Sequence, residues 1–194
     1  MPLQPSQLVL ASQSPRRRQL LAAAGYEFNV IAPHESAETD ILARETPNEF
    51  VARLAYQKAA SIARQVDAGV ILGCDTIAEC RGQLLGKPVD RDHARQMLLA
   101  LRGQIHHVYS GVCLWQRPDD TTLVKTDVTK LRMAPITDQA LEAYLDSNAW
   151  AGKAGAFGYQ DRLGWIELVA GSESNVVGLP MELLANMFVE LMSP

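Results

Sequence analysis

Asp75 stands inside an otherwise apolar run, Gly69-Val70-Ile71-Leu72-Gly73-Cys74-Asp75-Thr76-Ile77-Ala78. Such a run marks a central strand buried on both faces. A carboxylate placed there requires a partner, a metal or a chemical task, because an unpaired buried charge costs several kcal/mol. Lys58 raises the matching question, for it lies on the apolar stripe of Val51, Leu54, Ala55 and Ile62 at helical spacing. A lysine on such a face either carries its ammonium out to water or meets an anion. A third group is Ser12-Gln13-Ser14-Pro15-Arg16-Arg17-Arg18, which follows Leu8-Val9-Leu10-Ala11 and reads as a strand turning into a helix. Three arginines in a first helical turn oppose the macrodipole by a few tenths of a kcal/mol each. Together with the free N–H groups they form a pocket for an anion, a phosphate foremost. The alternative is a solvated basic turn whose stems pack on the surface, and this stretch alone supports both readings.

Further candidates are more dispersed. Lys87 sits between Gly86 and Pro88, on a loop of fixed shape. The stretch from His34 to Glu45 is acidic, with Glu35, Glu38, Asp40 and Glu45, and reads as a solvated loop. Gly152, Gly155 and Gly158 recur at a spacing of three, which lets backbone approach a ligand and offers N–H groups to oxygens. His106 and His107 are adjacent on a predicted strand, so they point to opposite faces and are read as structural. Cys74 is read as a small buried hydrophobe rather than a nucleophile.

The elements that must position these groups follow from local signals. Ser14 and Pro15 predict a helix start, with Gly25 closing it near Ala24. Phe28-Asn29-Val30-Ile31 reads as a second strand. Thr46-Pro47-Asn48-Glu49 carries a capping box for the helix that bears Lys58. After the long strand, Arg81-Gly82 predicts a hairpin, and Asp90 caps a helix running to about Leu101. The segments 106–115 and 121–133 alternate as antiparallel strands around the turn Arg117-Pro118-Asp119-Asp120. Thr137 caps another helix, 164–169 reads as a strand, and Met181 to Met192 as a last amphipathic helix. This mixed order predicts an α/β fold with a mixed sheet in a single domain over 1–194. No GxxxxGK[ST] is present and the first glycine comes too late for a dinucleotide fingerprint, which excludes P-loop and Rossmann readings on motif.

Bulk properties narrow the partners. A net charge of −4 offers no global attraction to nucleic acid or an anionic membrane, so the basic cluster is local and suits a small anion. Three cysteines without a CxxC pair point to free thiols in a reducing compartment. The N-terminus has no signal-peptide character and no apolar run approaches a membrane span. The expectation is a soluble, cytoplasmic protein.

Six segments taken together are similar to the Maf family of house-cleaning nucleoside triphosphate pyrophosphatases. They are Leu-Ala-Ser-x-Ser-Pro-Arg-Arg, Leu-Ala-x-x-Lys-Ala around Lys58, Asp75-Thr76, Gly86-Lys87-Pro88, Lys153-Ala154-Gly-Ala-Phe-Gly-x-Gln160 and Asn175-Val176-Val177-Gly178-Leu179-Pro180. The resemblance implies an elongated mixed α/β fold like that of inosine triphosphate pyrophosphatases, with two lobes around a central cleft and a homodimer in many members. It implies hydrolysis of a nucleoside triphosphate to the monophosphate and pyrophosphate with a divalent cation (Mg²⁺, Mn²⁺ or Co²⁺). By the same resemblance Asp75 is the base that activates water. Arg16, Thr76 and Gln160 select the substrate, and Ser12, Arg17, Lys58, Lys87 and Lys153 handle phosphate. Glu38 and Asp75 lie near the metal, and Arg18 is left to solvent. Ser-Pro-Arg-Arg, Lys153 and Gln160 side with the dTTP/UTP branch rather than the 7-methyl-GTP branch. The chain departs from that branch in reading Gly158-Tyr159-Gln160-Asp161-Arg162 where Gly-Ile-Gln-Gly is usual. A modified-purine substrate and a nucleotide-sensing module tied to cell division are the alternative functions.

Overall fold

The structure is a computed structural model that describes residues 2–37 and 39–193. Its strands are β1 (Leu8–Ala11), β2 (Asn29–Val30), β3 (Gly69–Cys80), β4 (Gln83–Leu85), β5 (Ile105–Arg117), β6 (Thr121–Met133) and β7 (Ile166–Ala170). Its helices are α1 (Pro15–Ala23), α2 (Pro47–Ala63), α3 (Arg91–Leu101), α4 (Asp138–Asp146), α5 (Glu173–Val177) and α6 (Met181–Met192). The seven strands form one sheet in the order β2-β1-β3-β5-β6-β7, with β4 paired to β3. β1 is parallel to both β2 and β3, whereas β4 is antiparallel to β3 and β7 to β6. The predicted mixed α/β sheet with flanking helices is therefore the observed one.

Contacts divide the chain into two compact units. The first comprises Met1–Asp75, Ser110–Asp127 and Gly178–Pro194, the second Thr76–Tyr109 and Val128–Val177. In the first unit the two-residue period of strands sorts the apolar run onto two faces. Leu8, Leu10, Val70, Leu72 and Cys74 pack with Leu21 of α1 and with Leu184, Met187 and Phe188 of α6. Val9, Ala11 and Ile71 face the other way and pack with Ala55, Ala59 and Ile62 of α2. Both faces are covered, which is why the segment reads as a continuous apolar run. In the second unit α3 and α4 supply Leu98, Leu101, Leu141 and Leu145 to one core with Ala78, Leu85, Leu131 and Met133.

The predicted caps are present. The Ser14 hydroxyl accepts from the Arg17 N–H, Thr46 and Glu49 form the capping box, and Asp90 and Thr137 cap α3 and α4. The differences are local. β2 is reduced to two exposed residues, and β7 begins two residues later than the alternation suggests. Glu173–Val177 forms a short helix whose five residues are too few to show a period.

Candidate active site

β1 and β3 run parallel with Ala11 opposite Gly73, so Ser12 leaves the sheet beside the part of β3 that carries Asp75. Ser12 is buried, and its hydroxyl accepts from the Ser14 N–H and from Nη1 of Arg17, both at 3.2 Å. Nε of Arg17 donates to the Gly178 carbonyl at 2.8 Å, and the Cys74 thiol points to the same oxygen at 3.3 Å. The guanidinium is thus fixed from two sides at the start of α1, which turns the segment 178–180 into part of its mounting. Arg16 is half-buried and Arg18 exposed, so the three arginines differ in burial.

Lys58 does not reach solvent. Its ammonium lies 2.6 Å from Oδ1 of Asp75, and the two side chains are 5% and 13% exposed. The anion that the apolar stripe required is therefore the carboxylate that the apolar strand could not otherwise hold. Asp75 shares the strand face of Ile71 and Gly73, the face covered by α2. A Cβ at Gly73 would stand 2.1 Å from the Ala55 carbonyl, so glycine is what allows α2 close enough for the pair to form. Thr76, next on β3, is half-buried.

Arg53, five residues before Lys58 on α2, was not singled out by sequence. Its Nε and Nη2 bind the two carboxylate oxygens of Glu45 at 2.6 and 2.7 Å. Nη2 also donates to the Asp40 carbonyl at 3.0 Å, and Nη1 to Thr39 and to Gln57. These hydrogen bonds hold the Glu45 carboxyl below the usual glutamate range. The acidic stretch is thus a loop stapled to α2, not a freely solvated one. A salt partner eight residues away across a helix start leaves no periodic signal. Glu38, expected near the metal, lies outside the described residues. Among the described residues no three His, Cys, Asp or Glu side chains converge on one point.

In the second unit the N–H of Gly155 donates to the Gly86 carbonyl at 3.0 Å, which ties the glycine-rich segment to the loop bearing exposed Lys87. Lys153 is not directed to solvent. Its ammonium contacts both oxygens of Asp161 at 2.6 Å, and the Tyr144 hydroxyl donates to Oδ2 at 2.8 Å. Burial, with help from the Asp161 carboxylate, pushes the Tyr144 phenol above its ordinary value. Gln160 is exposed on a 3₁₀ turn over Tyr159–Asp161. Asp161 falls where the chain departs from its resemblance, and that departure was the one sequence signal for this contact.

His106 and Cys74 are buried, in keeping with the structural reading of each. Burial lowers the His106 pKa to about 4, so the imidazole is neutral near pH 7, while Nδ1 of His107 lies 3.2 Å from Glu79. All three cysteines are free and buried, and burial raises the Cys113 thiol to about 12.

Comparison with known proteins covers almost the whole chain. Residues 7–191 match the model of the Maf family, described as Maf-like protein. A dTTP/UTP pyrophosphatase of Rhodopirellula baltica is 55% identical over 184 residues, which are 94% of this chain and 81% of that protein. A dTTP/UTP pyrophosphatase of Geobacter sulfurreducens is 39% identical over 180 residues, 92% of this chain and 93% of that one. Among solved structures, the Ham1 protein of Staphylococcus aureus aligns at a TM-score of 0.52 with 12% identity, covering 96% of this chain and all of that one. Among the described residues no helix is long and apolar enough to cross a membrane.

Proposed function

The chain belongs to the Maf family, and from that premise we propose that it is a nucleoside triphosphate pyrophosphatase acting on dTTP and UTP in a house-cleaning role. The observation that carries this reading is the Lys58–Asp75 pair at 2.6 Å, a carboxylate held on a rigid strand with an ammonium beside it. Hydrolysis at the α-phosphorus requires a base for the attacking water and cations for the pyrophosphate that leaves. Asp75 is the base. Its carboxylate accepts the proton of the water as the oxygen attacks phosphorus, and the bond to the bridging oxygen of the pyrophosphate breaks. Lys58 orients that carboxylate and lends positive charge to the phosphates. Ser12 and Arg17 supply a hydroxyl and a guanidinium already fixed at the N-terminus of α1, where backbone N–H groups favour an anion. Lys87, on its own loop, is a further phosphate ligand, and Arg16, Thr76 and Gln160 select the substrate.

A divalent cation fits the donor chemistry of this site. Asp75 presents hard carboxylate oxygen, the ligand type of Mg²⁺ and Mn²⁺, and such ions commonly bind through one or two carboxylates and the substrate phosphates. Asp75 and Glu38 would hold the ion, which would neutralise charge on the phosphate oxygens.

The test is pyrophosphate release from a panel of dTTP, UTP, CTP, ITP and 7-methyl-GTP with Mg²⁺, Mn²⁺ or Co²⁺. Turnover is expected to be highest for dTTP and UTP and abolished by EDTA. Silence with every nucleotide and metal overturns the proposal, and nucleotide binding without product assigns the chain to sensing instead.

A further inference from the structure

Lys153 is one of the cations that the family resemblance places on phosphate, yet its ammonium is already committed. Both oxygens of Asp161 lie 2.6 Å from Nζ, and the pair is 11% and 18% exposed. The contact is tight on every side. A Cβ at Gly158 would stand 2.5 Å from the Lys153 Nζ and 2.9 Å from Asp161 Oδ1, so the ammonium passes directly over the Gly158 backbone. The Tyr144 hydroxyl closes the cluster at 2.8 Å from Oδ2. Tyr144 is itself wedged against Phe157 and Trp165, with ring centroids at 5.7 and 5.4 Å.

What this cluster holds is a turn. Asp161 N–H returns to the Gly158 carbonyl at 3.0 Å and Arg162 N–H to the Tyr159 carbonyl at 3.3 Å, with Arg162 in the left-handed region at φ 50°. On the other flank the Tyr159 hydroxyl donates to Glu173 at 2.8 Å. Gln160 is the exposed residue between these two anchors, and its amide is a donor and an acceptor whose direction the turn sets. Beside the turn lies an open cavity of about 230 Å³ lined in part by Phe157, Tyr159, Arg162 and Trp165.

We propose that Asp161 is a positioning residue for base selection: it takes Lys153 out of phosphate binding and uses it as a clasp that aims Gln160 at the nucleobase. The proposal rests on the pyrophosphatase reading. The two roles of Lys153 predict opposite results. As a phosphate ligand, Lys153 would be released by Asp161→Asn, and KM would fall alike for every nucleotide. As a clasp, Lys153→Met and Asp161→Asn do the same thing: each loosens the turn and degrades discrimination between bases. A site that rejects a base through one oriented amide loses on the order of tenfold in selectivity when that amide is misaimed.

The experiment measures kcat/KM for dTTP, UTP, CTP and GTP on the full chain and on Asp161→Asn, Lys153→Met and the exchanged Lys153→Asp/Asp161→Lys pair, with folding followed by circular dichroism and thermal melting. The expected result is a fall of about tenfold in the ratio of dTTP to CTP in both single variants, with part of it restored in the exchanged pair. An unchanged ratio, or a KM lowered equally for all nucleotides in Asp161→Asn, overturns the clasp. Should the single variants fail to fold, Tyr144→Phe loosens the same carboxylate without unpairing a charge, and a ratio unchanged there overturns the proposal equally. If the wild-type chain hydrolyses no nucleotide, the pyrophosphatase reading fails by itself. The ratio of dissociation constants for dTTP and CTP, by calorimetry, then reads the clasp.

Discussion

Two lysine–aspartate pairs share one contact distance, 2.6 Å, and differ in almost everything else. Lys58–Asp75 joins a seventeen-residue helix to a twelve-residue central strand, both anchored in a packed core. Lys153–Asp161 joins two points of one irregular segment, eight residues apart. Asp75 meets the ammonium through Oδ1, while Asp161 has both oxygens on Lys153 and receives a phenol as well. A carboxylate mounted on rigid elements is suited to exchange a proton, because its position survives the chemistry. A carboxylate whose oxygens are saturated on a turn is suited to hold backbone in place. Under the proposed function, identical pair chemistry is put to two uses, and the mounting decides which.

The sharpest way to break this contrast is Asp75→Asn. The amide keeps the shape and a contact to Lys58 but cannot accept a proton from water. Turnover is expected to fall by on the order of a hundredfold or more while nucleotide still binds, measured by steady-state pyrophosphate release and by calorimetry. Retained turnover would remove Asp75 from the base role and leave the two pairs alike. Next in size is Lys58→Met. Methionine fills the apolar stripe but leaves Asp75 without its ammonium on a covered sheet face, and removing one partner of a pair this enclosed costs about 3 kcal/mol. Urea unfolding would show the loss as a lower midpoint at unchanged slope. A stability within about 0.5 kcal/mol of wild type would mean that solvent reaches Asp75 well enough to replace the lysine.

The same mounting explains what could be read from the amino-acid order. Asp75 and Lys58 were visible because each violates a strong pattern, a charge in an apolar run and a cation on an apolar stripe. Two violations seventeen residues apart imply a partner for each, though not that each is the other's. Ser14, Thr46, Asp90 and Thr137 were visible because a cap is local chemistry within one turn. Arg53 was not, since an arginine on the polar part of a helix is ordinary and Glu45 meets it only after the chain folds back. Asp161 lay in a polar, glycine-rich loop where one more charge breaks no pattern. Its mismatch with the usual family reading marked the position but not the partner. The 3₁₀ turns and the five-residue α5 were hidden for another reason, as segments that short carry no period.

The smallest expected effect probes the second pair alone. Tyr144→Phe removes the hydroxyl that donates to Asp161 but keeps the ring against Phe157 and Trp165, so the packing term is unchanged. A hydrogen bond to a carboxylate contributes about 1.5 kcal/mol, and that is the expected loss near pH 7. The pH dependence separates this loss from a general weakening. The Tyr144 phenol is raised above its ordinary value of 10.0 in the folded chain, first by burial and then by the carboxylate. The unfolded chain therefore releases this proton first. Its stabilisation is complete below pH 10 and declines as the pH climbs from there toward the folded value. Wild type should lose stability over that range faster than Tyr144→Phe, so the two unfolding curves converge in alkali. Curves that stay parallel would place the phenol in water, and the Asp161 cluster would then be a surface ion pair of the kind that contributes little.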